Sequence, residues 1–412
     1  MNSNIKWIAG IVGAGIVAAL FIVWFVLLSG PSAAPAQNTA PSFGTGSTQT
    51  TTGVTPTTDA TNSGTPVGQQ IAYGAGKIFK VTDGPVAGAT LLITTRPTST
   101  VARFVLATNG HIMDVALDTP GAVARAVSNT TIPGIINALW SEGGRGALLQ
   151  YLDSGNLKTA HFTLPAPAAT SSTSVRVQFL PVGATNVTVS PDGTSIAYLI
   201  KTAAGADGYT AKANGTSSKK LFSLPFSQLL LSWPAQNTLL AQTASAAGVP
   251  GAVFSVDTKS GGVAPLLYAQ GLTATANIAF SRLIYQTSDG TSLRSYIRDT
   301  KSGLSAPTPA INPSPEQCVW SKFAGNVVFC AVPIQAAPAN YLDLWHQGVT
   351  SAAENIFAIN TDINGQYVAA APGGEDGGEE SSIAEMALSP DDRYLLFIRK
   401  GDRSLWAVRL SN

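Results

Sequence analysis

After residue 70 the chain alternates short apolar stretches with polar turn residues. Apolar positions recur at every second residue within a stretch, which predicts β-strands, and the closely spaced turns predict an all-β domain. Residues 187–198 and 386–397 share one order of side chains: apolar residues, a Ser-Pro-Asp turn and an aromatic residue. Pro and Asp suit the central positions of a type I turn, so each segment predicts a β-hairpin.

This hairpin recurs, together with two further strands, along the whole domain. Seven units can be recognised, beginning near residues 87, 136, 186, 229, 274, 316 and 384. At about 46 residues and four strands each, the units predict a seven-bladed β-propeller, with six or eight blades as alternatives. The last unit has three strands, and residues 77–82 form a strand ahead of the first unit. We therefore expect this strand to complete the last blade and close the ring.

An apolar run lies near the N-terminus. Residues 7–28 are 22 residues without a charge; as a helix they would span about 33 Å, enough for a hydrocarbon core of roughly 30 Å. Lys6 precedes the run, and no Lys or Arg follows until Lys77. The positive-inside rule therefore predicts a single-pass cell-membrane protein with residues 1–6 in the cytoplasm and the C-terminal domain outside. A cleaved signal peptide is the alternative, because residues 34–36 (Ala-Pro-Ala) loosely match a cleavage site.

Between this run and the propeller lies a segment without apolar periodicity. Residues 29–70 are rich in Ser, Thr, Pro and Gly and hold one charged residue, Asp59. Such a composition buries too little apolar surface to offset the entropy of ordering. We predict a disordered stalk here and a propeller domain over residues 71–412.

Composition limits the possible partners. Of the 412 residues 11% are charged, and the formal net charge is +1. The charged fraction is far below the usual quarter, a bias that fits a protein working outside the cytoplasm. Because a basic surface is needed to neutralise phosphates, we predict no nucleic-acid partner.

The repeated hairpins carry a family resemblance. Over roughly residues 77–410, the Ser-Pro-Asp turns followed by aliphatic and aromatic strands resemble the PD40, or WD40-like, repeats of TolB-type bacterial propellers. The order of apolar run, stalk and propeller, with Gln-Cys-Val-Trp-Ser at 317–321 and Ser-Leu-Trp-Ala-Val-Arg-Leu at 404–410, is similar to that of a group of membrane-anchored bacterial propeller proteins. These resemblances imply a fold and a location and carry no chemistry.

Cys318 and Cys330 are the two cysteines of the chain. They flank the sixth hairpin symmetrically about its turn, so they face each other across two antiparallel strands. Opposed Cβ atoms lie about 4.5–5.5 Å apart and can shift into disulfide range, and an extracytoplasmic domain permits oxidation. We predict a structural disulfide, with a reduced buried pair as the alternative.

The sequence offers no catalytic pattern. His111, His161 and His346 fall in different units without a shared spacing, and neither G-x-S-x-G nor H-E-x-x-H occurs. We therefore predict no catalytic residue, no metal site and no cofactor.

Two enlarged connections depart from the repeat. Residues 333–353 join the second and third strands of unit six, and residues 372–383 join units six and seven. Both should emerge on the face opposite to the one where the chain enters the domain. Their aromatic, apolar and acidic side chains predict a partner-binding surface, made of Tyr341, Leu344, Trp345, His346, Glu375, Asp376, Glu379 and Glu380. Alternatively, Trp345 packs the first connection onto the propeller, and the acidic run is merely solvated.

The leading interpretation is a membrane-anchored extracytoplasmic module that binds or scaffolds a protein or an envelope polymer. The alternative is a carbohydrate-active hydrolase or lyase, which needs two carboxylates converging at about 5–9.5 Å in the central channel. Acids available in the sequence for that role include Asp114, Asp118, Asp153 and Glu354. A third possibility is an envelope component that binds nothing specific.

Overall fold

The computed structural model describes residues 77–95, 97–164, 175–308, 310–372 and 381–410. Their strands form seven four-stranded antiparallel sheets, which confirms the predicted all-β seven-bladed propeller. The predicted membrane helix at 7–28 and stalk at 29–70 lie outside the described residues. Within the described ranges, none of the helices has both the length and the apolar character needed to cross a membrane.

The strands follow the predicted units closely. The chain begins with β1 (Ile78–Thr82). Blade 1 consists of β2 (Val86–Thr95), β3 (Thr98–Leu106), β4 (Ile112–Ala116) and β5 (Arg125–Ser128). Blade 2 consists of β6 (Ile135–Ser141), β7 (Gly146–Asp153), β8 (Asn156–Thr163) and β9 (Arg176–Phe179). Blade 3 consists of β10 (Ala184–Val189), β11 (Ser195–Thr202), β12 (Gly205–Lys212) and β13 (Lys219–Leu224).

The second half of the ring repeats this arrangement. Blade 4 consists of β14 (Leu229–Ala235), β15 (Thr238–Thr243), β16 (Pro250–Asp257) and β17 (Val263–Gln270). Blade 5 consists of β18 (Thr273–Ala276), β19 (Arg282–Ser288), β20 (Leu293–Asp299) and β21 (Ser305–Pro307). Blade 6 consists of β22 (Cys318–Trp320), β23 (Val327–Pro333), β24 (Glu354–Asn360) and β25 (Gly365–Ala370). Blade 7 adds β26 (Ile383–Leu388), β27 (Tyr394–Arg399) and β28 (Leu405–Arg409). Short helices are α1 (Tyr341–His346) and the 3-10 turns Glu142–Gly144 and Pro315–Gln317.

The ring closes as predicted, because β1 is the fourth strand of blade 7. It pairs antiparallel with β28, and Ile78 lies opposite Val408. Phe79 and Val81 are buried in the apolar cluster between blades 7 and 1. Arg403 Nε also donates a hydrogen bond to the Val86 carbonyl (2.8 Å), which links the same two blades.

Apolar side chains fill each gap between neighbouring blades. Seven clusters of buried residues correspond to the seven blade interfaces. Alternating strand residues reach these clusters from both faces of a blade. Burial of one large apolar side chain contributes roughly 1.5–3 kcal/mol, so the ring is held mainly by these layers.

Two faces follow from the up-and-down order of strands. We call the face that carries the connections from first to second strand the turn face, and the opposite one the strap face. On the turn face the Ser190 hydroxyl donates to Asp192 Oδ1 (2.6 Å) and accepts from the Ser195 amide (3.0 Å). Ser389 makes the same two bonds, to Asp391 and from Tyr394. The two Ser-Pro-Asp segments are therefore equivalent turns, as their sequences predict.

Cys318 and Cys330 lie directly opposite each other on β22 and β23. Their Cα atoms are 4.1 Å apart, and the sulfurs are joined. The predicted disulfide is confirmed. It links the innermost strand of blade 6 to the next strand.

Candidate functional site

A cavity of about 670 Å³ lies on the propeller axis at the turn face; we call it the central cup. The first strand of each blade, or the turn after it, contributes to its wall. Among the lining residues are Leu91, Trp140, Val189, Trp233, Ala276, Trp320 and Pro390, one from each blade. Residues far apart in sequence thus meet because each first strand is the innermost strand of its blade.

The wall of the central cup carries almost no charge. Among the described lining residues, Asp192 is the acidic one and Lys322 the basic one. Hydrogen bonds from the Ser190 hydroxyl and the Thr194 amide lower the pKa of Asp192 to about 2. Its second oxygen accepts from Gln236 Nε2 at 2.8 Å. Asp192 is therefore an ionised turn residue whose oxygens are already hydrogen-bonded.

Three tryptophans reach the central cup from alternate blades. Trp140, Trp233 and Trp320 lie on the first strands of blades 2, 4 and 6. Trp233 and Trp320 are each 9% exposed, because their rings also pack into the clusters between blades. Trp233 Nε1 donates weakly to the Gln236 carbonyl at 3.4 Å. The Nε1 atoms of Trp140 and Trp320 have no acceptor within the described part of the chain.

Of the six Ser and Thr residues among the described lining residues, Ser141, Ser190 and Ser321 have hydroxyl groups bonded within the protein, whereas the hydroxyl groups of Thr90, Ser232 and Thr275 have no partner in the described part of the chain. Ser141 Oγ lies 3.0 Å from His161 Nε2, and Ser321 donates to Asp392. Burial lowers the pKa of His161, so the Ser141–His161 pair is neutral at physiological pH. Gly146 is required beside this pair, because a Cβ there would come within 2.2 Å of Ser141 Oγ.

Exposed apolar residues border the central cup on four consecutive blades. Ile278 of blade 5 and Ile93 of blade 1 line it and are 37% and 40% exposed, and Pro390 of blade 7 also lines it and is exposed. Phe323 of blade 6, which is 77% exposed, follows the lining residue Lys322 in the same turn. Isolated exposed apolar residues are common on proteins, but a group that borders a concave site marks a binding surface.

At the opposite end of the axis lies a smaller cavity of about 310 Å³, lined by blades 1, 2, 6 and 7. Two carboxylates line it, Glu316 and Glu385. Glu316 is paired with His346 at 2.7 Å, and Glu385 is paired with Arg403 at 3.0 Å. Both acids thus have a basic partner from the same chain.

Residues 334–353, which we call the strap, extend from blade 6 to three other blades on the strap face. The Asp343 carboxylate accepts from the Ala247 amide of blade 4 (3.0 Å). Ser288 of blade 5 donates to the Ala339 carbonyl (2.6 Å). Lys400 of blade 7 donates to the Trp345 carbonyl, and its Nζ lies 4.0 Å from the centre of the Trp345 ring. The strap is therefore fixed at several separate points.

A buried carboxylate holds the base of the strap. Glu354 has no exposed surface and accepts from Gln317 Nε2 (2.7 Å), Tyr341 Oη (3.0 Å) and the Ile383 amide (2.7 Å). Burial raises the pKa of Glu354, although these donors oppose the shift. Burial and the Glu354 carboxylate also raise the pKa of Tyr341.

The predicted partner-binding residues thus differ in how much they are exposed to solvent. Tyr341 is buried, Leu344 and Trp345 are half-buried, and His346 is exposed. Glu375, Asp376, Glu379 and Glu380 lie outside the described residues. Partner binding by these side chains stays a prediction, and the strap contacts show that Tyr341 and Trp345 also have intramolecular roles.

The four acids considered for catalysis do not converge. Asp114 forms a double ion pair with Arg103 in blade 1, at 2.6 and 2.7 Å. Asp118 accepts from the Thr100 amide in the same blade, and Asp153 pairs with Lys158 in blade 2. Neither these acids nor Glu354 of blade 6 lines the two axial cavities.

Comparisons with known proteins support the fold. No protein-family model and no curated protein matches the chain. An oligogalacturonate lyase from Vibrio parahaemolyticus aligns at 9% identity and a TM-score of 0.52, over 81% of this chain and 94% of its own. A chain in a crystal structure of the mitotic checkpoint complex aligns at 13% identity and a TM-score of 0.50, over 88% and 100%. TolB from Acinetobacter baumannii aligns at 12% identity and a TM-score of 0.40, over 68% and 62%. At such identities the likeness is one of fold.

Proposed function

We propose that this chain is a membrane-anchored extracytoplasmic propeller of the TolB-type repeat class that binds or scaffolds an envelope component at the central cup. The observation that carries this proposal is the open cavity of about 670 Å³ with an exposed apolar rim and nearly no charge. Its volume lies in the range of ligand sites, roughly 300–1,000 Å³. The uncharged run at 7–28 supports the anchor.

Crosslinking mass spectrometry on intact cells tests the binding role. The wild type is compared with the double variant Ile278→Asp/Phe323→Asp and with Leu304→Asp, a control at a site that is 74% exposed near the turn between β20 and β21. We expect a partner that is lost in the double variant and kept in the control. An identical partner profile in all three chains would contradict binding at the central cup.

Membrane anchoring is tested separately by cell fractionation. Full-length chain should remain with membranes after a high-salt wash, because a helix of about 22 apolar residues is held by burial rather than by charge. Removal of residues 7–28 should release it. Recovery of the intact chain in the soluble fraction would contradict the anchor, and recovery of a soluble chain that lacks the N-terminal segment would point to its cleavage.

The carbohydrate-active alternative is proposed at the smaller axial cavity. Glu316 and Glu385 share the smaller axial cavity, and a pair of carboxylates is what such chemistry needs. Both are ion-paired within the chain, which favours a structural role. Polysaccharide cleavage that disappears in Glu316→Gln and in Glu385→Gln would support the enzyme.

A further inference from the structure

We propose that the turn face docks on the surface of an anionic lipid membrane. This inference goes beyond the proposed binding at the central cup and concerns the whole face on which the cup opens. Three observations carry it: the distribution of exposed charges, the apolar side chains among them and the place where the chain enters the propeller.

Exposed basic residues surround the turn face. Within the described residues, ten exposed lysines and arginines lie in a turn-face connection or at the strand end beside it, and every blade contributes at least one. In blades 1–3 they are Arg125, Arg145, Arg176, Lys212 and Lys219. In blades 4–7 they are Lys259, Lys301, Lys322, Arg393 and Lys77. The exposed acids at the same positions are Asp192, Asp257 and Asp362.

The strap face has the opposite balance of charge. At the equivalent positions described there, the exposed acids are Asp83, Asp289 and Asp402, and no lysine or arginine is exposed. The formal net charge of the whole chain is +1, so the basic turn face comes from an uneven distribution of charges between the two faces. A face with one predominant sign attracts a surface of the opposite sign.

The basic residues of the turn face are not neutralised within the propeller. None of the ten forms an ion pair in the described part of the chain. The acids among them already have partners: Asp362 pairs with Arg282 at 3.0 Å, and Asp192 and Asp257 accept hydrogen bonds within their own turns. The cations are therefore available to anionic headgroups, whose attraction adds up over the residues near the bilayer.

Exposed apolar side chains lie among these cations. Phe323 and Ile363, in two turn-face connections of blade 6, are 77% and 76% exposed. Val123 of blade 1 and Val263 of blade 4 are exposed at the same face. Interfacial membrane binding combines basic side chains at the headgroups with apolar side chains at the acyl boundary. A soluble polyanion would pair with the charges and leave the apolar side chains in water, so the combination favours a lipid surface.

The chain enters the propeller on the turn face. The Arg409 amide donates to the Lys77 carbonyl (2.8 Å), and the Leu410 amide donates to the carbonyl of Arg393 in the first turn of blade 7 (2.9 Å). Residues 1–76 therefore join the propeller at this face. A flexible coil of roughly 50 residues, the length between the proposed membrane helix and β1, has a mean span of about 40 Å. The turn face is thus within reach of the membrane, and this step alone rests on the proposed anchor.

Quenching by lipid-borne nitroxides, on the full chain in lipid nanodiscs, tests the docking. A nitrobenzoxadiazole label is attached at Ile363→Cys on the turn face or at Val349→Cys on the strap. The native cysteines are joined in a disulfide and do not take the label. The discs contain phosphatidylcholine alone or with about 30% phosphatidylglycerol. We expect doxyl-labelled lipid to quench position 363 in the anionic discs, to quench it much less in the uncharged discs, and to leave position 349 unquenched in both.

Charge reversal tests whether the basic residues hold the face on the lipid. Lys259→Glu/Lys301→Glu should lower the ratio of docked to free propeller about tenfold or more, and raised salt should act in the same direction. Lys201→Glu/Arg294→Glu is the matched control, with the same change of charge at exposed residues near the strap face, and should leave the ratio unchanged. Thermal melting of each variant shows whether a loss of docking is a loss of fold.

Three results would overturn the inference. They are no quenching at position 363 in anionic discs, quenching at position 349 alone, and quenching at the wild-type level in Lys259→Glu/Lys301→Glu. If cell fractionation contradicts the anchor, the same labels are read on the chain added to vesicles of the same lipids. Intact-cell crosslinks that ignore the central cup would remove the proposed function while position 363 is still quenched, so the two failures are distinguishable.

Discussion

The two ends of the propeller axis are built from the same seven blades, but they use their side chains differently. On the strap face, Glu354 accepts three hydrogen bonds and Lys400 fixes Trp345. On the turn face, Ile278 and Phe323 are exposed beside an open cavity. Side chains that already have partners within the chain stabilise it, and apolar side chains exposed around a cavity are available for binding. The longest insertion is therefore a poorer guide to a binding site than the arrangement of exposed apolar groups.

The largest expected effect of a point change is on the strap face. Glu354→Ala leaves the donors of Tyr341, Gln317 and Ile383 without their acceptor in a buried position. We expect a loss of about 3 kcal/mol in the free energy of unfolding, measured by urea denaturation. Glu385→Ala is the control, since that carboxylate is partly exposed in a surface ion pair. Equal losses in the two variants would contradict the special role of Glu354.

A smaller loss of stability is expected when a lysine of the strap face is replaced, and none is expected when a lysine of the turn face is replaced. Lys400→Met keeps the aliphatic stem but removes the bonds to the Trp345 and Thr350 carbonyls and the cation over the indole. We expect a loss of about 1–2 kcal/mol and faster amide exchange within residues 338–350. Lys322→Met at the central cup is the matched control and should change neither quantity. Unchanged exchange in Lys400→Met would mean that Lys400 does not hold the strap.

The stability of the strap should also change with pH, by less than it changes in the two variants above. The hydrogen bond to Glu316 raises the pKa of His346 above 6.5, so its stabilising contribution is present below that value and is lost as pH rises through the folded pKa. Burial also raises the pKa of Glu354 above 4.5. Its contribution to stability is therefore likewise lost as pH rises through its folded pKa. Since the histidine is partly exposed, we expect less than about 1 kcal/mol. Strap amides should exchange faster at about pH 8 than at about pH 6, after correction for intrinsic rates, and His346→Gln should reduce this difference. A difference of the same size in the variant would contradict the assignment to His346.

The smallest effect on stability is expected at the rim. Ile278→Asp and Phe323→Asp change exposed turn residues and should alter the free energy of unfolding by no more than about 0.5 kcal/mol. Thermal and urea unfolding check this. A loss above about 2 kcal/mol would mean that these side chains are part of the packing, and the distinction between the two faces would disappear.

The sequence predicted the features that depend on local patterns. The Ser-Pro-Asp turns recur, so the blades, their number and the closure by β1 could be predicted before the structure was known. The register of one hairpin was sufficient to predict the disulfide between Cys318 and Cys330.

The central cup could not be predicted in the same way, because its wall brings together seven distant segments. A signal was present in Trp140, Trp233 and Trp320, which occupy the first strands of alternate units, but each fits an ordinary strand when taken alone. The sequence also identified the strap as an insertion without showing which side chains turn inward. The inward orientation of Tyr341 depends on Glu354, whose other partners Gln317 and Ile383 lie 37 and 29 residues from it in the sequence.

Site-specific photo-crosslinking in cells tests the central claim most directly. A photoreactive residue replaces either Phe323 at the rim of the central cup or Val349 on the strap, two exposed positions at 77% and 69% on opposite faces. We predict a discrete partner adduct from position 323 and none from position 349. A partner captured from position 349 but not from position 323 would contradict the account and place the binding surface on the strap.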